Sequence, residues 1–367
     1  MISIMDASIY QPLFLWITAV WTVLYGFRGI GSSGYMIQIE KTYFLLPLVI
    51  SLIFVFWIGG RPVSYMFGDT VNYALSYSIM PAEGEIIPDL KSEWVWGGLM
   101  LLCKQSGLDV HTFFTIVEAG YILSALWAVK RFMPTNATMG ILFVFTSLMF
   151  FTFGTNGLRN GLACHIILLA MSFFFDDKYI IGGLLCLVAL GIHRSTMLPI
   201  AGMLTARFVL KDMKYAILFW ISSILVSLAV GDAATNFFAS LGFDNRMSSY
   251  NTAEYANQFS QTGFRWDFLL YSSFPVLMGW YVCVKKKIKD DWYKNLCITY
   301  CLCNAFWVLV IRAAFSNRFA YLSWFMYPII IAYPLVNLPI WDDQDRKTAM
   351  ILFAYCGFTL FMQMIYW

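Results

Sequence analysis

The sequence predicts an all-α protein that crosses a membrane many times, and three features of its composition predict this class. Of its 367 residues, 60% are hydrophobic and only 12% are charged, about half the charged share of an ordinary soluble domain. A soluble fold of this size could not cover its surface with so few charges. Aromatic residues make up 19% of the chain, which suits a bilayer with aromatic belts at its two interfaces.

Twelve apolar segments approach the length of a membrane-spanning helix, about 20 residues. No lysine or arginine precedes the first segment, so it lacks the basic start of a cleaved signal peptide and is expected to remain as a helix. We therefore predict a single integral membrane domain over residues 1–367. The twelve segments lie at 11–28, 43–60, 111–129, 138–154, 161–175, 179–192, 196–210, 214–231, 267–284, 295–311, 319–338 and 349–366.

A shorter apolar stretch decides which polar residues share a face of the membrane. Trp94 to Cys103 is too short to span, so we expect a re-entrant or interfacial helix near 94–106. If it crossed the membrane, Asp69 would lie on the opposite face from Arg159 and His193. We choose twelve spanning helices with both termini outside, because the polar residues then share the outer face.

Loop charge and loop length complete the predicted topology. The positive-inside rule places the lysine-rich loop at 285–289 in the cytoplasm. The loops at 61–110 and 232–265 then face outward. Both are longer than ordinary connections between bundled helices, and we expect them to cover an active site.

Charge and ligand content exclude two classes of partner. The net charge is only +3, and no lysine or arginine run is long enough to bind nucleic acid. The eight cysteines lie mostly inside apolar stretches, and there are only three histidines. Neither set has the paired spacing of a zinc site or a disulfide framework, so we expect no metal and no cofactor.

The first polar motif is Asp69-Thr70-x-x-Tyr73-x-x-x-Tyr77. Tyr73 and Tyr77 are one helical turn apart, so on a helix they share a face with Asp69 at its head. This arrangement suits a ligand site. It equally suits an interfacial helix capped by Asp69, with its tyrosines in the aromatic belt.

Two further motifs lie at predicted helix ends. Arg159 stands between two asparagines and two glycines at the start of a helix, which favours binding of an oxyanion over a simple membrane anchor. His193 and Arg194 join two short helices, and His193 could act as a general base. Its alternative role is that of a loop histidine at the headgroup level.

The remaining charges follow the same pattern. Arg265 opens a helix and can pair with Asp267, while Arg312 and Arg318 bracket an outward turn. Arginines at outer helix ends oppose the positive-inside rule, and a bound pyrophosphate would account for them. Glu118 is an intramembrane acid, with Arg159 or Arg194 as candidate partners.

In order, these features resemble the EpsG family of Wzy-like exopolysaccharide and O-antigen repeat-unit polymerases. The resemblance runs through about residues 61–325, on a background of twelve helices. It departs from the family at Asn160, where a glutamine is common, at Arg194 inside the His-x-Ser step, and at Arg61, which lies unusually far upstream of Asp69. The matching pieces are the Asp69 motif, Glu93 before a short apolar segment, Arg159, His193-x-Ser195 and Arg318-x-x-Tyr321.

The resemblance implies a lipid-donor, GT-C-like glycosyltransferase of the bacterial cytoplasmic (inner) membrane, with its active site facing the periplasm or exterior. It would join oligosaccharides linked to undecaprenyl pyrophosphate, as donor and acceptor, with a chain-length regulator as a possible partner. Asp69, His193 and Arg159 would be catalytic, with Asp69 or His193 as the base. The expected substrate-binding residues are Tyr73, Tyr77, Glu93, Arg194, Arg265, Arg312, Arg318 and Tyr321.

Three other functions suit part of the pattern. An O-antigen ligase differs from a polymerase only in its acceptor. A lipid-linked oligosaccharide flippase would place charges along a central cavity and show repeat symmetry, whereas these charges gather at one face. A membrane acyltransferase would reach its acyl donor from the cytoplasm, whereas His193 is predicted outside.

Overall fold

The protein is all-helical over the part of the chain that its computed structural model describes. The described residues are 6–31, 44–83, 93–231, 233, 263–313 and 316–366, and no strand occurs among them. Most of the predicted outer loop at 232–265 and residues 84–92 of the loop at 61–110 lie outside this set.

In chain order the first helices are α1 (Ala7–Gly31), α2 (Leu45–Gly59), α3 (Thr70–Ser78), α4 (Trp94–Gln105), α5 (Val110–Phe132), α6 (Ala137–Phe145), α7 (Phe150–Thr155), α8 (Leu158–Phe175) and α9 (Tyr179–Ile192). They are followed by α10 (Met197–Leu204), α11 (Met213–Val230), α12 (Trp266–Gly279), α13 (Asp291–Leu309), α14 (Ser316–Trp324), α15 (Tyr327–Asn337) and α16 (Gln344–Phe361). Short π-helical turns extend α10, α12 and α16.

Each of the twelve predicted segments coincides with a helix, and two of them are broken. The segment at 138–154 divides at Thr146, whose hydroxyl donates to the Leu142 carbonyl at 2.7 Å. The segment at 319–338 divides at residues 325–326, and Pro328 lies in the first turn of the second helix, where a missing backbone donor costs no helical hydrogen bond. Among the described residues, seven helical segments are long and apolar enough to cross a membrane, and α2 and α9 are shorter apolar helices.

The chain divides into two compact units. Unit 1 comprises Met1–His193 and Ala332–Trp367, and unit 2 comprises Arg194–Ile331. In unit 1, α5 packs against both α2 and α8, α8 packs against α9, and α1 packs against α16. In unit 2, α13 is the central helix and contacts α10, α11, α12 and α14.

One end of unit 1 collects the end of α2 and the starts of α1 and α5. Tyr10 donates to the Gly60 carbonyl at 3.4 Å, and a Cβ built on Gly59 would lie 2.6 Å from the Thr115 Cα. The short helices α3 and α4 lie at this same end, because Tyr77 donates to the Leu108 carbonyl at 2.9 Å. The chain therefore leaves α2 and enters α5 at one end of the unit, as expected if the segment near 94–106 does not cross it.

The opposite end of unit 1 carries its own charge cluster. Asp176 follows α8 and pairs with Lys178 at 2.7 Å and with Arg131 at 2.9 Å. Hydrogen bonds from Lys178 and Arg131 hold the pKa of the Asp176 carboxyl below its usual value. The Arg131 guanidinium also lies over the Phe173 ring, 3.8 Å from its centroid.

Unit 2 is held by polar contacts around α13. The Asn304 side chain accepts from the Trp220 indole at 2.7 Å and donates to Ser323 at 2.9 Å, joining α11, α13 and α14. A buried side-chain amide that makes both bonds fixes the register of the three helices. All eight cysteines of the chain are free thiols.

Close approach of α2 to α5 requires Gly59. We expect Gly59→Ala to lower the free energy of unfolding by about 1–3 kcal/mol, because the added methyl would overlap the α5 backbone. The control is Gly183→Ala, since a Cβ there meets nothing within 4 Å. Thermal unfolding of both variants in detergent checks this. Equal melting temperatures would contradict the close contact.

Candidate active site

The Glu93 carboxylate contacts one cationic and one basic side chain at the end of unit 1 where α2 ends and α5 begins. Its Oε2 atom pairs with the Arg159 guanidinium. Its Oε1 atom accepts a hydrogen bond from His193 Nδ1 at 2.7 Å. The three side chains are 16–20% exposed, so they are shielded from bulk water while remaining accessible.

These three residues meet because each lies at the end of a helix. Glu93 immediately precedes α4, Arg159 is the second residue of α8, and His193 directly follows α9. Gly191 allows the start of α4 to approach the end of α9, because a Cβ there would lie 2.4 Å from the Val95 side chain and 2.8 Å from that of Trp94. This contact places Glu93 beside His193.

Tyr73 lies at the edge of the same cluster. Its ring centroid is 5.8 Å from the Arg159 guanidinium carbon, and its ring packs edge-to-face against Trp96 at 5.5 Å. The ring is half-buried. An aromatic face beside an arginine suits a sugar ring that carries an anionic group.

Asp69 lies in a turn that is tied to the segment before Arg159. Its backbone N–H donates to the Asn156 side-chain oxygen at 2.9 Å, and its carboxylate accepts from Asn72 at 3.2 Å. Gly68 has φ of +55°, and a Cβ there would lie 2.4 Å from the Asn156 oxygen. A glycine therefore meets both the backbone and the space requirement of this turn.

Tyr77 packs in the interior of unit 1. Its side chain is buried, its ring stacks on Phe113 at 5.0 Å, and its hydroxyl donates to the Leu108 carbonyl. Burial raises the pKa of the Tyr77 hydroxyl, which keeps it a neutral donor. The structure thus assigns a bracing role between α3 and α5 to a residue expected to contact substrate.

Helix packing explains the glycines beside Arg159, and the sequence alone did not reveal this. A Cβ on Gly157 would lie 2.6 Å from the Phe153 ring, and one on Gly161 would lie 2.5 Å from the Phe153 carbonyl oxygen. They allow α7 to pack against the first turns of α8. The case for an anion at Arg159 therefore depends on the guanidinium and the helix start, and no longer on these glycines.

The other predicted residues belong to unit 2. Arg194 is exposed, while Arg312 and Arg318 are half-buried. Arg265 forms a two-bond ion pair with Asp267, at 2.9 and 2.6 Å, so its cationic charge is already balanced. Tyr321 is buried within α14. Arg312 lies over the Phe264 ring at 5.6 Å.

Glu118 has a partner other than the two candidates named from the sequence. Arg61, just after α2, contacts it at 3.3 Å, and both side chains are fully buried. The signal in the sequence was an isolated arginine after one apolar helix and an isolated acid inside the next. His165 is also buried, and it stacks on Tyr121 with 4.1 Å between ring centroids.

The cluster can bind an anion and transfer a proton. Among the described residues, no group of three metal-ligating side chains comes together. The described residues at this end of unit 1 supply a guanidinium, an imidazole and two carboxylates.

Comparison with known proteins identifies the family. The family model for EpsG matches residues 43–367, which include Glu93, Arg159 and His193. The chain belongs to the EpsG family. This confirms the resemblance seen in the sequence, and with the long apolar helices it indicates an exopolysaccharide-related, multi-pass membrane protein. No curated protein and no solved structure matches the chain.

The α3 helix of this EpsG-family protein offers a test of side-chain orientation. We expect a thiol at Asn72, which is exposed, to react with a maleimide in native membranes. A thiol at Tyr77, which is 3% exposed, should react only after denaturation. Mass spectrometry of Asn72→Cys and Tyr77→Cys against the wild-type thiol background measures this. Equal labelling of the two would show that α3 is turned differently.

Proposed function

We propose that this EpsG-family protein is a polysaccharide polymerase of the bacterial cytoplasmic membrane. It joins oligosaccharide repeat units carried on undecaprenyl pyrophosphate at the outer face, with twelve helices crossing the bilayer. The observation that carries the proposal is the bridge from Glu93 to Arg159 and His193. That bridge holds a guanidinium and an imidazole together at one end of unit 1, which supports anion binding by the first and proton transfer to the second.

Arg159 is proposed to bind the pyrophosphate of the donor. During transfer, the acceptor hydroxyl oxygen bonds to the anomeric carbon of the donor, and the bond from that carbon to the pyrophosphate oxygen breaks. Undecaprenyl pyrophosphate leaves with the bonding electron pair, so negative charge grows on it in the transition state. A fixed guanidinium lowers this barrier more than it strengthens ground-state binding.

His193 is proposed as the base that accepts the proton of the acceptor hydroxyl. In the tautomer that donates from Nδ1 to Glu93, the neutral ring carries its lone pair on Nε2. The Glu93 carboxylate would hold the ring in that tautomer and stabilise the imidazolium that forms. Asp69 remains the second candidate, and its carboxylate accepts a hydrogen bond from Asn72.

The charge of the cluster changes in step with the reaction. With His193 neutral, the charges of Arg159 and Glu93 cancel. Proton transfer to His193 makes the cluster cationic at the moment when the leaving pyrophosphate gains negative charge. This coupling supports a group-transfer enzyme over a flippase, which would need its charges along a central path.

Other residues have supporting roles in the proposal. Tyr73 would stack on a sugar ring beside Arg159. In unit 2, Arg318, Arg312 and Arg194 are proposed to bind anionic groups of the lipid-linked substrate. Arg265 is the weakest of the arginine candidates because its Nε and Nη2 atoms both bind the Asp267 carboxylate.

Arg159→Ala should abolish polymer formation in cells that lack the chromosomal gene. The matched control is Arg131→Ala, which removes an ion-paired arginine of similar exposure at the other end of unit 1. Gel analysis of surface polysaccharide and of the lipid-linked pool should show single repeat units for Arg159→Ala and a normal ladder for Arg131→Ala. A folded Arg159→Ala protein that still makes long polymer would refute the role of Arg159.

The same gel separates the related functions. Long lipid-linked chains that fail to reach their final acceptor in the gene deletion would indicate a ligase. An unchanged ladder in the deletion would indicate acyl transfer or transport.

His193→Gln should slow polymerisation by about 10²–10⁴-fold, the usual contribution of a general base. The polymerisation rate of Glu93→Gln should fall by a factor in the same range, because a neutral amide cannot stabilise the imidazolium as a carboxylate does. The control is Glu83→Gln, an exposed carboxylate of the same outer loop, which should retain full activity. Initial rates with a purified lipid-linked repeat unit provide the measurement. If His193→Gln kept full activity and Asp69→Asn lost it, the general base would be Asp69 and not His193.

A further inference from the structure

We propose that Arg61 is a positioning residue, which fixes the Asp69 turn against the segment that leads to Arg159. This inference rests on the proposed function, because it explains how the catalytic side chains hold their geometry. Arg61 is fully buried and contacts none of Glu93, Arg159 or His193 in the hydrogen bonds that the structure describes.

The guanidinium of Arg61 contacts four separate points of the chain. It donates to the Ile58 carbonyl at 2.7 Å, to the Thr70 hydroxyl at 3.3 Å and to the Thr155 carbonyl at 3.5 Å. It also pairs with the Glu118 carboxylate at 3.3 Å. One planar group with several donors in a fixed fork therefore joins the ends of α2 and α7 to the start of α3 and to α5.

Two of these contacts adjoin residues of the candidate site. Thr70 directly follows Asp69, and its hydroxyl also donates to the Thr155 carbonyl at 2.7 Å. Thr155 directly precedes Asn156, whose side chain accepts the Asp69 backbone N–H. The Asp69 turn and the segment before Arg159 are thus joined twice, once by Thr70 and once by Asn156, and Arg61 contacts both sides of the junction.

Stability alone does not require such a pair. Arg61 and Glu118 are fully buried, and the cost of removing two charges from water often cancels their attraction. A well-packed apolar pair of similar volume is frequently as stable or more stable. What an apolar pair cannot supply is the set of directed bonds to Thr70 and Thr155. The pair is therefore best explained by the hydrogen bonds with which Arg61 holds the Asp69 turn in position.

The test is the double variant Arg61→Met/Glu118→Met, which removes both charges and leaves neither buried alone. We expect a melting temperature close to that of the wild type and faster hydrogen exchange in the peptide covering 64–78. Polymerisation should fall by about 10- to 100-fold, the scale expected for small misplacement of catalytic groups.

A second variant covers the possibility that the double variant does not fold. Thr70→Val keeps the shape of the side chain and removes only its hydroxyl, so both charges stay paired. It should also accelerate exchange in 64–78 and reduce polymerisation, and its melting temperature should fall by only a few degrees, because the Arg61 Nε atom and the Thr155 carbonyl each lose one hydrogen-bond partner. Arg61→Lys keeps a cation beside Glu118, so its melting temperature should lie near that of the wild type while its polymerisation rate falls, because an ammonium cannot reach Thr70, Thr155 and Glu118 with the geometry of the fork.

Two results would overturn the proposal. One is unchanged exchange in 64–78 in a folded double variant, which would show that Arg61 does not hold the turn. The other is full polymerisation despite faster exchange, which would show that holding the turn is irrelevant to transfer. Failure of the wild-type protein to polymerise lipid-linked repeats would reject the proposed function instead, and the exchange comparison would still decide whether Arg61 fixes the turn.

Discussion

The arrangement of unit 1 depends on one carboxylate that bridges two distant parts of the chain. Glu93 precedes α4, Arg159 opens α8 and His193 follows α9, yet the carboxylate contacts both partners. Without Glu93, a guanidinium and an imidazole would face each other in a partly buried site, and protonation of the imidazole would be opposed. With it, protonation of the imidazole takes the cluster only from neutral to singly cationic, and the imidazolium that forms contacts a carboxylate directly. The proposed chemistry and the local fold thus impose the same requirement on this position.

The surrounding packing keeps that carboxylate in place through close helix contacts. Gly59 brings α2 against α5, Gly191 brings α9 against α4, and Gly161 brings α8 against α7. Each contact leaves little room for movement at the end of the unit where the polar residues gather. The buried Arg61 and Glu118 pair also joins the turn at Asp69 to the backbone at Thr155. Close helix packing and buried hydrogen bonds therefore support a site that is built from helix ends and short loops.

Much of the fold could be predicted from the sequence, because the thickness of a bilayer fixes the length of an apolar helix. The segment at 179–192 corresponds to α9 residue for residue. The break at Thr146 was not predicted, since nothing in local hydropathy marks it. For the site, polar residues at helix ends identified Asp69, Arg159 and His193. Sequence alone could not pair Glu118 with Arg61 or show that Tyr77 is buried, because those facts depend on which helices become neighbours.

The central proposal is that this protein extends a lipid-linked oligosaccharide using the lipid-linked donor alone. Purified protein in liposomes, supplied with undecaprenyl-pyrophosphate-linked repeat units and no nucleotide sugar, tests it most directly. We predict longer lipid-linked chains, with one undecaprenyl pyrophosphate released for each linkage formed. Repeat units that stay single, in a preparation whose protein is folded, would contradict the claim.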